Sequence, residues 1–500
     1  MGTETSASSV YKSIATESLW LRVCVFALAL LIPLTYAPAL NNHLLSDSYH
    51  MVGQFDFPEA LRYFYQTTGF GRNEFRPLTQ LTYAWDNFLW QDRPFGYHLT
   101  NLLLHTANGI LLLLIFFRMS GSVLMAFSAA ALYSIHPANH SRVAWIAARD
   151  SVVCMFFLLI SWLVFLYNRP RSEAAPGDAV MRRGRSPALL RGLSYAAFFC
   201  ALLSYEGATA FPFILAAFEL LSTGTSFWPE RIRRALKTTA PYFLLLAIYL
   251  AWWMVLFRGS VGGYDLDLSV GGMARDFYRM HYRLFHHIQH WLGLAYLLAA
   301  CWVWSRRRQL APQLGGAVAL LWLGYLPFVA VHGFADRFGF LSVIGVALFL
   351  SLSVSEIASA NRLQFRLAAI LPALLMLLFV GYYTQSTGRR LREWQEAGQM
   401  ADSMLTGLKA LHSSFPPDAT LVFDQVPAMH GNAYVFPTGW RAAVRSRYSQ
   451  NFRQISYYST ALEASRENEM LQREPAFHFR YLPDKGLFVE LRARRGKSGR

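Results

Sequence analysis

Asp47 is the clearest candidate for chemistry, because it lies in a long polar stretch between two apolar segments of membrane length. This stretch, residues 41–97, carries acids, arginines and many aromatic side chains. A loop of such length is seldom a passive connector. An aspartate at a membrane face, partly removed from water, can accept a proton from a substrate hydroxyl. The alternative interpretation is that Asp47 caps a helix or closes a turn.

Three arginines could bind an anionic group near that carboxylate. Arg76 lies in the same polar stretch, in the motif FRPL, and Arg149 and Arg337 each lie at the predicted outer end of an apolar segment. A guanidinium offers a planar, forked donor that fits a phosphate. Each of these arginines could instead reach bulk lipid phosphates or pair with an acid such as Asp150 or Asp336.

One further acid and two histidines complete the candidate site. Glu206 lies at the outer turn of a predicted helical hairpin, where it could contact substrate or pair with an arginine. His136 and His140 have a spacing that would suit a metal on a helix, but Pro137 indicates a turn, and no third ligand is evident nearby. We therefore expect no metal, although a divalent cation stays an open alternative. Hydrogen bonding to substrate and a structural role are the other possibilities for the histidines.

Composition places these residues in a membrane protein. Of the 500 residues, 54% are apolar, 15% are aromatic and only 15% are charged. Several apolar runs reach the length of about 18 residues that a transmembrane helix needs. The net charge of +16 comes largely from arginines clustered between apolar runs, which favours membrane orientation over nucleic-acid binding. The four cysteines lie inside apolar runs without metal-ligand or disulfide spacing.

The arginine clusters also predict the topology. The linker at 168–192 holds six arginines and should be cytoplasmic. Counting from an uncleaved first span near Trp20–Leu40 gives about eleven spans, with the N-terminus inside and the C-terminus outside. This count brings polar features to one outer face: the Asp47 loop, the HPANH motif, the Glu206 turn, the 259–280 loop and the Asp336–Arg337 turn.

Two domains are expected. Residues 1–384 should form the transmembrane domain, with residues 41–97 as its large first outer loop, and residues 385–500 should form a small extracytoplasmic α/β or α+β domain. In the second domain, the pattern predicts an amphipathic helix over Arg389–His412, a buried strand over Ala419–Asp424 and a hairpin that turns at 484–486. No repeat period typical of tetratricopeptide (TPR) arrays is found.

Five motifs in order resemble the membrane portion of the transmembrane-and-TPR O-mannosyltransferases and their bacterial relatives, which are GT-C glycosyltransferases. The motifs are FRPL (75–78), GYHLTNLLLHTAN (96–108), AALYSIHPANHSRVAWIAARDS (130–151), LLSYEGATAFP (202–212) and DRFGFLSVIG (336–345). The resemblance implies a GT-C-like fold and sugar transfer from a polyprenyl-phosphate donor, with the catalytic acid in the first outer loop. Two differences stand out: the family often has paired acids where this chain has Asp47 followed by Ser48, and the TPR tail is replaced.

The function that these features predict is a glycosyltransferase of a bacterial inner membrane. Asp47 would be the general base, and Arg76, Arg149, Arg337, His136, His140 and Glu206 would bind donor phosphate or acceptor. The expected partners are a polyprenyl-phosphate sugar, membrane lipids and an exported acceptor protein or glycan, with no nucleic acid and no certain cofactor. The alternatives are a transporter or lipid flippase and a non-catalytic assembly factor for surface glycans. A transporter would require polar groups near the middle of the bilayer, whereas the ionisable residues here cluster at the outer face.

Overall fold

The structure is a computed structural model that describes residues 2–66, 74–168, 186–221, 227–257, 267–284, 311–329, 335–360, 367–461 and 475–494. The span predicted near Phe285–Trp304 and most of the arginine-rich linker lie outside the described residues.

Helices dominate the part of the chain before the C-terminal sheet. The first eight, α1 to α8, are Gly2–Tyr36, Ser48–Met51, Phe57–Arg62, Pro77–Trp90, Pro94–Ser120, Val123–Ile135, His140–Ala144 and Arg149–Asn168. The next seven, α9 to α15, are Pro187–Leu202, Phe211–Leu221, Trp228–Phe257, Val270–Leu284, Ala311–Leu323, Ser342–Ala360 and Leu367–Leu411. Short 3-10 turns join several of them, at Ala37–Asn41, Pro137–Asn139, Ile146–Ala148, Glu206–Ala210, Leu326–Phe328 and Asp336–Gly339.

Four helical segments within the described residues are long and apolar enough to cross a membrane. They are Ser18–Asn41, Pro94–Ser120, Ile146–Asn168 and Trp228–Phe257. Shorter apolar helices lie at Val123–Ile135, Pro187–Leu202, Gln313–Phe328 and Ser342–Leu352. The class of helical membrane protein is therefore confirmed, whereas the total of about eleven spans stays a prediction.

A polar stripe on α5 holds the membrane helices together. His105 Nε2 lies 2.9 Å from the Ser134 carbonyl oxygen, and Asn108 Nδ2 donates to the Val152 carbonyl at 3.1 Å. These contacts bridge α5 to α6 and α8. Hydrogen bonds of this kind replace the hydrophobic drive that lipid cannot supply between helices.

Helix α15 differs from the prediction. The sequence predicted a span near Leu367–Tyr383 and a separate amphipathic helix from Arg389, but a single helix of 45 residues, Leu367–Leu411, covers both. At about 1.5 Å per residue it is about 68 Å long. Gly388 alone does not stop it, because an interior glycine costs only about 1 kcal/mol. The predicted domain boundary at 384–385 falls inside this helix.

The C-terminal residues form a mixed sheet beside α15. Its strands β1 to β6 are Thr420–Asp424, Met429–His430, Ala433–Tyr434, Gln454–Tyr457, Ala476–Leu482 and Leu487–Arg494. The four-stranded sheet has the order β4-β1-β5-β6, with β1 parallel to both neighbours and β5 antiparallel to β6. The predicted strand and the predicted hairpin are both present. Between β3 and β4 lies the last helix, α16, Trp440–Tyr448.

Candidate functional site

A cavity of about 1120 Å³ opens between the polar stretch at 41–97 and the C-terminal residues. The charged side chains along its wall are Asp47, Glu59, Glu74, Arg76, Asp150, Arg337, Arg441 and Arg445. The charges therefore come from both halves of the chain.

Asp47 is placed in this wall by the start of α2. It occupies the N-cap position of that helix, but its side chain accepts no capping hydrogen bond, and the residue is only 8% exposed. The preceding Ser46 has a positive φ of 48°, a conformation that residues with a Cβ adopt only under constraint. This carboxylate therefore does not cap the helix; it lines the cavity instead.

The C-terminal residues supply that constraint. Ser46 N donates to the Val435 carbonyl at 3.0 Å, and Ser46 Oγ lies 2.9 Å from Thr438 Oγ1. Gly439 has a φ of +83°, and a Cβ at this position would lie 2.0 Å from Ser46 O and 3.0 Å from Asp47 N. Only glycine fits such an approach of two backbones. The segment 435–439 therefore fixes the backbone that presents Asp47.

Arg76 lies at the centre of a carboxylate cluster. Its Nη1 lies 2.5 Å from Asp150 Oδ2 and 3.2 Å from Glu74 Oε2, while Nε and Nη2 contact Glu206 Oε2 at 3.0 and 2.9 Å. The guanidinium also lies over the Tyr205 ring, 4.7 Å from its centroid. One guanidinium thus contacts three carboxyl groups in this part of the site.

Glu206 belongs to that cluster rather than to open solvent. Burial raises the pKa of the Glu206 carboxyl, and the charge of Arg76 opposes this rise. With 32% of the side chain still exposed, the carboxyl keeps access to water. Glu206 therefore pairs with an arginine, Arg76, which is one of the two roles that the sequence predicts for it. The other role was contact with substrate.

Arg337 approaches the cavity from another direction. Its Nη1 donates to Tyr434 Oη at 3.0 Å, and the guanidinium lies 5.5 Å from the centroid of the Trp145 ring and 4.8 Å from that of Phe338. Aromatic faces stabilise a cation that is partly removed from water. Since Tyr434 is a C-terminal residue, Arg337 too is positioned by both halves of the chain.

Arg149, in contrast, is sealed inside the helices. It is 0% exposed, and its Nη2 lies 2.5 Å from Asp86 Oδ2. Nε donates to Asn101 Oδ1 at 2.7 Å and Nη2 to the Tyr97 carbonyl at 2.8 Å. The guanidinium lies 4.5 Å from the centroid of the Tyr83 ring. This geometry does not support phosphate binding by Arg149, because burial and internal partners occupy its donors.

The two histidines of HPANH are also away from the cavity lining. His136 Nδ1 accepts from Ala138 N at 3.1 Å, and Nε2 lies 3.1 Å from the Leu284 carbonyl oxygen. His140 Nδ1 lies 2.6 Å from the Pro137 carbonyl oxygen, and burial, aided by Arg390, lowers the pKa of this imidazole to about 3. The predicted turn is confirmed, and both side chains hold it together.

Of the predicted site residues, the structure brings together Asp47, Arg76 and Arg337, with Glu206 attached through Arg76. It separates Arg149, His136 and His140 from them. Residues that sequence analysis missed are Glu74, Asp150 as a partner of Arg76, Arg441 and Arg445. Glu74 stands two positions before Arg76 and could have been noticed, but no signal in the sequence links residues 441–445 to Asp47. Among the described residues, no group of three or more His, Cys, Asp or Glu could hold a metal ion.

Comparison with known proteins adds a short sequence similarity. No family model matches the chain. Over 111 residues it is 33% identical to Protein O-mannosyl-transferase TMTC1 from Homo sapiens, a match that covers 21% of this chain and 12% of the relative. The match thus spans about an eighth of that relative's length. It confirms the resemblance that the motifs indicated.

Solved structures share the architecture over most of the chain. The archaeal oligosaccharyltransferase AglB from Archaeoglobus fulgidus, solved with an inhibitory peptide and a dolichol-phosphate, superposes with a TM-score of 0.51 at 11% identity, covering 87% of this chain and 64% of AglB. ArnT from Cupriavidus metallidurans, bound to undecaprenyl phosphate, gives 0.48 at 12% identity and covers 93% of both chains. The likeness to AglB shows that this chain shares the fold of that protein over the matched residues.

Proposed function

We propose that this protein is a glycosyltransferase that moves a sugar from a polyprenyl-phosphate donor to an acceptor on the extracytoplasmic face of a membrane. The observation that carries this proposal is the cavity that Asp47, Arg76 and Arg337 line together. Asp47 is nearly buried there, and its carboxylate accepts no capping hydrogen bond. The fold shared with AglB and the similarity to TMTC1 support the class of reaction.

In the proposed reaction, Asp47 takes the proton of an acceptor hydroxyl as the hydroxyl oxygen bonds to the anomeric carbon of the sugar. The bond between that carbon and the phosphate oxygen breaks, and the lipid phosphate leaves with the electron pair. General-base catalysis of this type contributes about 10²–10⁴ in rate. A cation near the leaving phosphate stabilises the charge that develops on it, and Arg337 is one of the cations that line the cavity.

The carboxylates around Arg76 have a second task in this proposal. Arg76 holds Asp150, Glu74 and Glu206 in one arrangement. Glu74 and Asp150 line the cavity, and a carboxylate oxygen has more than one lone pair, so these two groups can also accept hydrogen bonds from sugar hydroxyls. Rigid acceptors of this kind orient the sugar for attack, and misplacement by about 1 Å can cost about a hundredfold in rate.

The experiment compares extracellular glycans and glycoproteins of cells with and without the gene. A missing sugar or glycoform that returns with the wild-type gene is expected. Unchanged glycans, together with altered transport of a lipid or solute, would favour the transporter alternative.

The predicted orientation is tested by reporter fusions. A reporter that is active only outside the cytoplasm should work after Arg500 and be silent at Gly177. The opposite pair of results would place the Asp47 cavity on the wrong side for an exported acceptor.

A further inference from the structure

Helix α16 contributes two arginines to the wall of the cavity. Arg441 and Arg445 are four positions apart, so they lie on one helix face, with Cβ atoms about 5–6 Å apart. Both side chains are exposed and both line the cavity that contains Asp47. Within the part of the chain that the structure describes, neither has a hydrogen bond or ion pair from its side chain.

The helix that presents them is firmly anchored. Trp440 is fully buried, and its ring lies 4.7 Å from the Phe436 ring and 5.2 Å from the Phe423 ring of β1. Ala443 and Val444 are buried on the same side. The two arginines are therefore mounted on a rigid surface, and a ligand that binds them would not have to order the helix.

A third arginine of the helix differs from these two. Arg447 Nη2 donates to Thr406 Oγ1 at 2.6 Å, and Nη1 lies 4.0 Å from Asp402 Oδ1. It does not line the cavity among the described residues. The same short helix thus contains one arginine with partners inside the protein and two arginines that line the cavity. This contrast identifies Arg441 and Arg445 as candidates for ligand binding.

We propose that Arg441 and Arg445 bind the phosphate group of the substrate that enters the Asp47 cavity. The inference rests on the proposed function, since it takes this cavity as the substrate site. Two guanidinium groups offer two planar forks, which suits the several oxygens of a phosphate better than the two of a carboxylate. Arg76 also lines this cavity, but its guanidinium is already in contact with three carboxyl groups.

The phosphate can belong to a lipid headgroup or to a water-soluble molecule, and the probes distinguish these sources. The full chain is placed in nanodiscs of phosphatidylcholine, and tryptophan fluorescence follows the binding of farnesyl phosphate, farnesol and inorganic phosphate. Farnesyl phosphate should bind and farnesol should not. Binding of farnesyl phosphate alone assigns a lipid phosphate, and comparable binding of inorganic phosphate assigns a soluble one; either result supports the arginine pair.

The variants are Arg441→Gln, Arg445→Gln and the pair together, with Arg447→Gln as the matched control. Loss of one charge-assisted contact should weaken phosphate affinity about tenfold, and loss of both should weaken it about a hundredfold. Arg447→Gln should bind as the wild type does. An unchanged affinity in the double variant, or an equal loss in Arg447→Gln, would overturn the assignment. Thermal unfolding of each variant checks that the C-terminal sheet is intact.

Binding is read separately from turnover, so this inference and the proposed function fail in different ways. If Asp47→Asn stays fully active while the arginine variants lose phosphate, the anion site stands and the proposed base is wrong. If the double arginine variant keeps its affinity while Asp47→Asn is inactive, the base stands and the arginine pair is removed from the site.

Discussion

Arg149 and Asp150 are neighbours in the sequence, yet they belong to two charge centres of opposite character. Arg149 is sealed, with Asp86 as its ion-pair partner and no exposed surface. Asp150 turns to the cavity and contacts Arg76, which three carboxyl groups surround. The sealed centre pairs one cation with one carboxylate and is closed to ligands, whereas the open centre has three carboxyl groups around one guanidinium at a cavity wall.

An arginine at the end of a span is therefore not by itself a functional residue. Arg149 and Arg337 looked equivalent in the sequence, but only Arg337 lines the cavity among the described residues. Internal partners and burial separate the two roles, and substitution should separate them again in experiments. The sealed centre should affect stability, and the open centre should affect transfer.

The largest effect is expected from Arg149→Ala. The substitution leaves Asp86 buried without its cation, which should cost about 3–5 kcal/mol of unfolding free energy. Denaturant unfolding in nanodiscs measures this loss. Replacing both charges, as Asp86→Leu with Arg149→Met, should recover much of it, because an uncharged pair leaves no buried ion. A stable Arg149→Ala protein with weakened donor binding would show that Arg149 acts in binding rather than in stability.

Gly439→Ala tests how the two halves of the chain meet. A Cβ here would lie 2.0 Å from Ser46 O, so the backbone before Asp47 must move, and transfer should fall about a hundredfold. Gly486→Ala is the control: its φ of +65° is equally unfavourable for alanine, but nothing lies within 4 Å of the added Cβ. Transfer by this control should stay near that of the wild type. Equal activity in both variants would show that Gly439 does not constrain the backbone at Asp47.

Arg76→Lys should affect transfer more than stability. Lysine keeps the charge but cannot donate to three carboxyl groups as a planar fork does, so transfer should fall about tenfold. In Arg149→Lys the unfolding free energy should fall while the apparent affinity for the donor stays unchanged. Donor titrations and denaturant unfolding of both variants measure these opposite outcomes. The same response from both would show that the two centres are not distinct.

The smallest effect concerns His140, which belongs with the sealed residues. Burial lowers the pKa of this imidazole to about 3, while the unfolded chain has a pKa of about 6.5. Because the unfolded state binds the proton more readily, stability falls as the pH drops below about 6.5. Between about pH 7 and about pH 6, His140 should account for a loss of about 0.7 kcal/mol. His140→Gln should reduce this acid sensitivity; an unchanged pH profile would mean that another group carries it.

The helical membrane class was predictable, because apolar runs long enough to cross a bilayer can be found in the sequence directly. The loop around Asp47 was predictable for the same reason, as a polar interruption between spans. The strand β1 was predictable as a short buried apolar run, and the β5–β6 hairpin as two strand-like segments joined by a turn. These are local patterns, and the sequence contains them directly.

The partners of the charged residues were not predictable. Ser46 and Thr438 are in contact across 392 positions, and no local pattern relates the first outer loop to residues 435–445. The continuous α15 was missed since a change in composition near Thr384 looks like a boundary, although it does not interrupt helical hydrogen bonding. Long-range packing decided which arginines are sealed and which face the cavity.

The most direct test of the central claim is turnover of Asp47→Asn with a polyprenyl-phosphate sugar and an acceptor. The amide keeps the shape of the side chain but cannot take the acceptor proton, so transfer should fall by about 10²–10⁴. The melting temperature should stay near that of the wild type, since the amide fills the same space and can still accept hydrogen bonds. Near wild-type turnover by a folded Asp47→Asn protein would contradict the account.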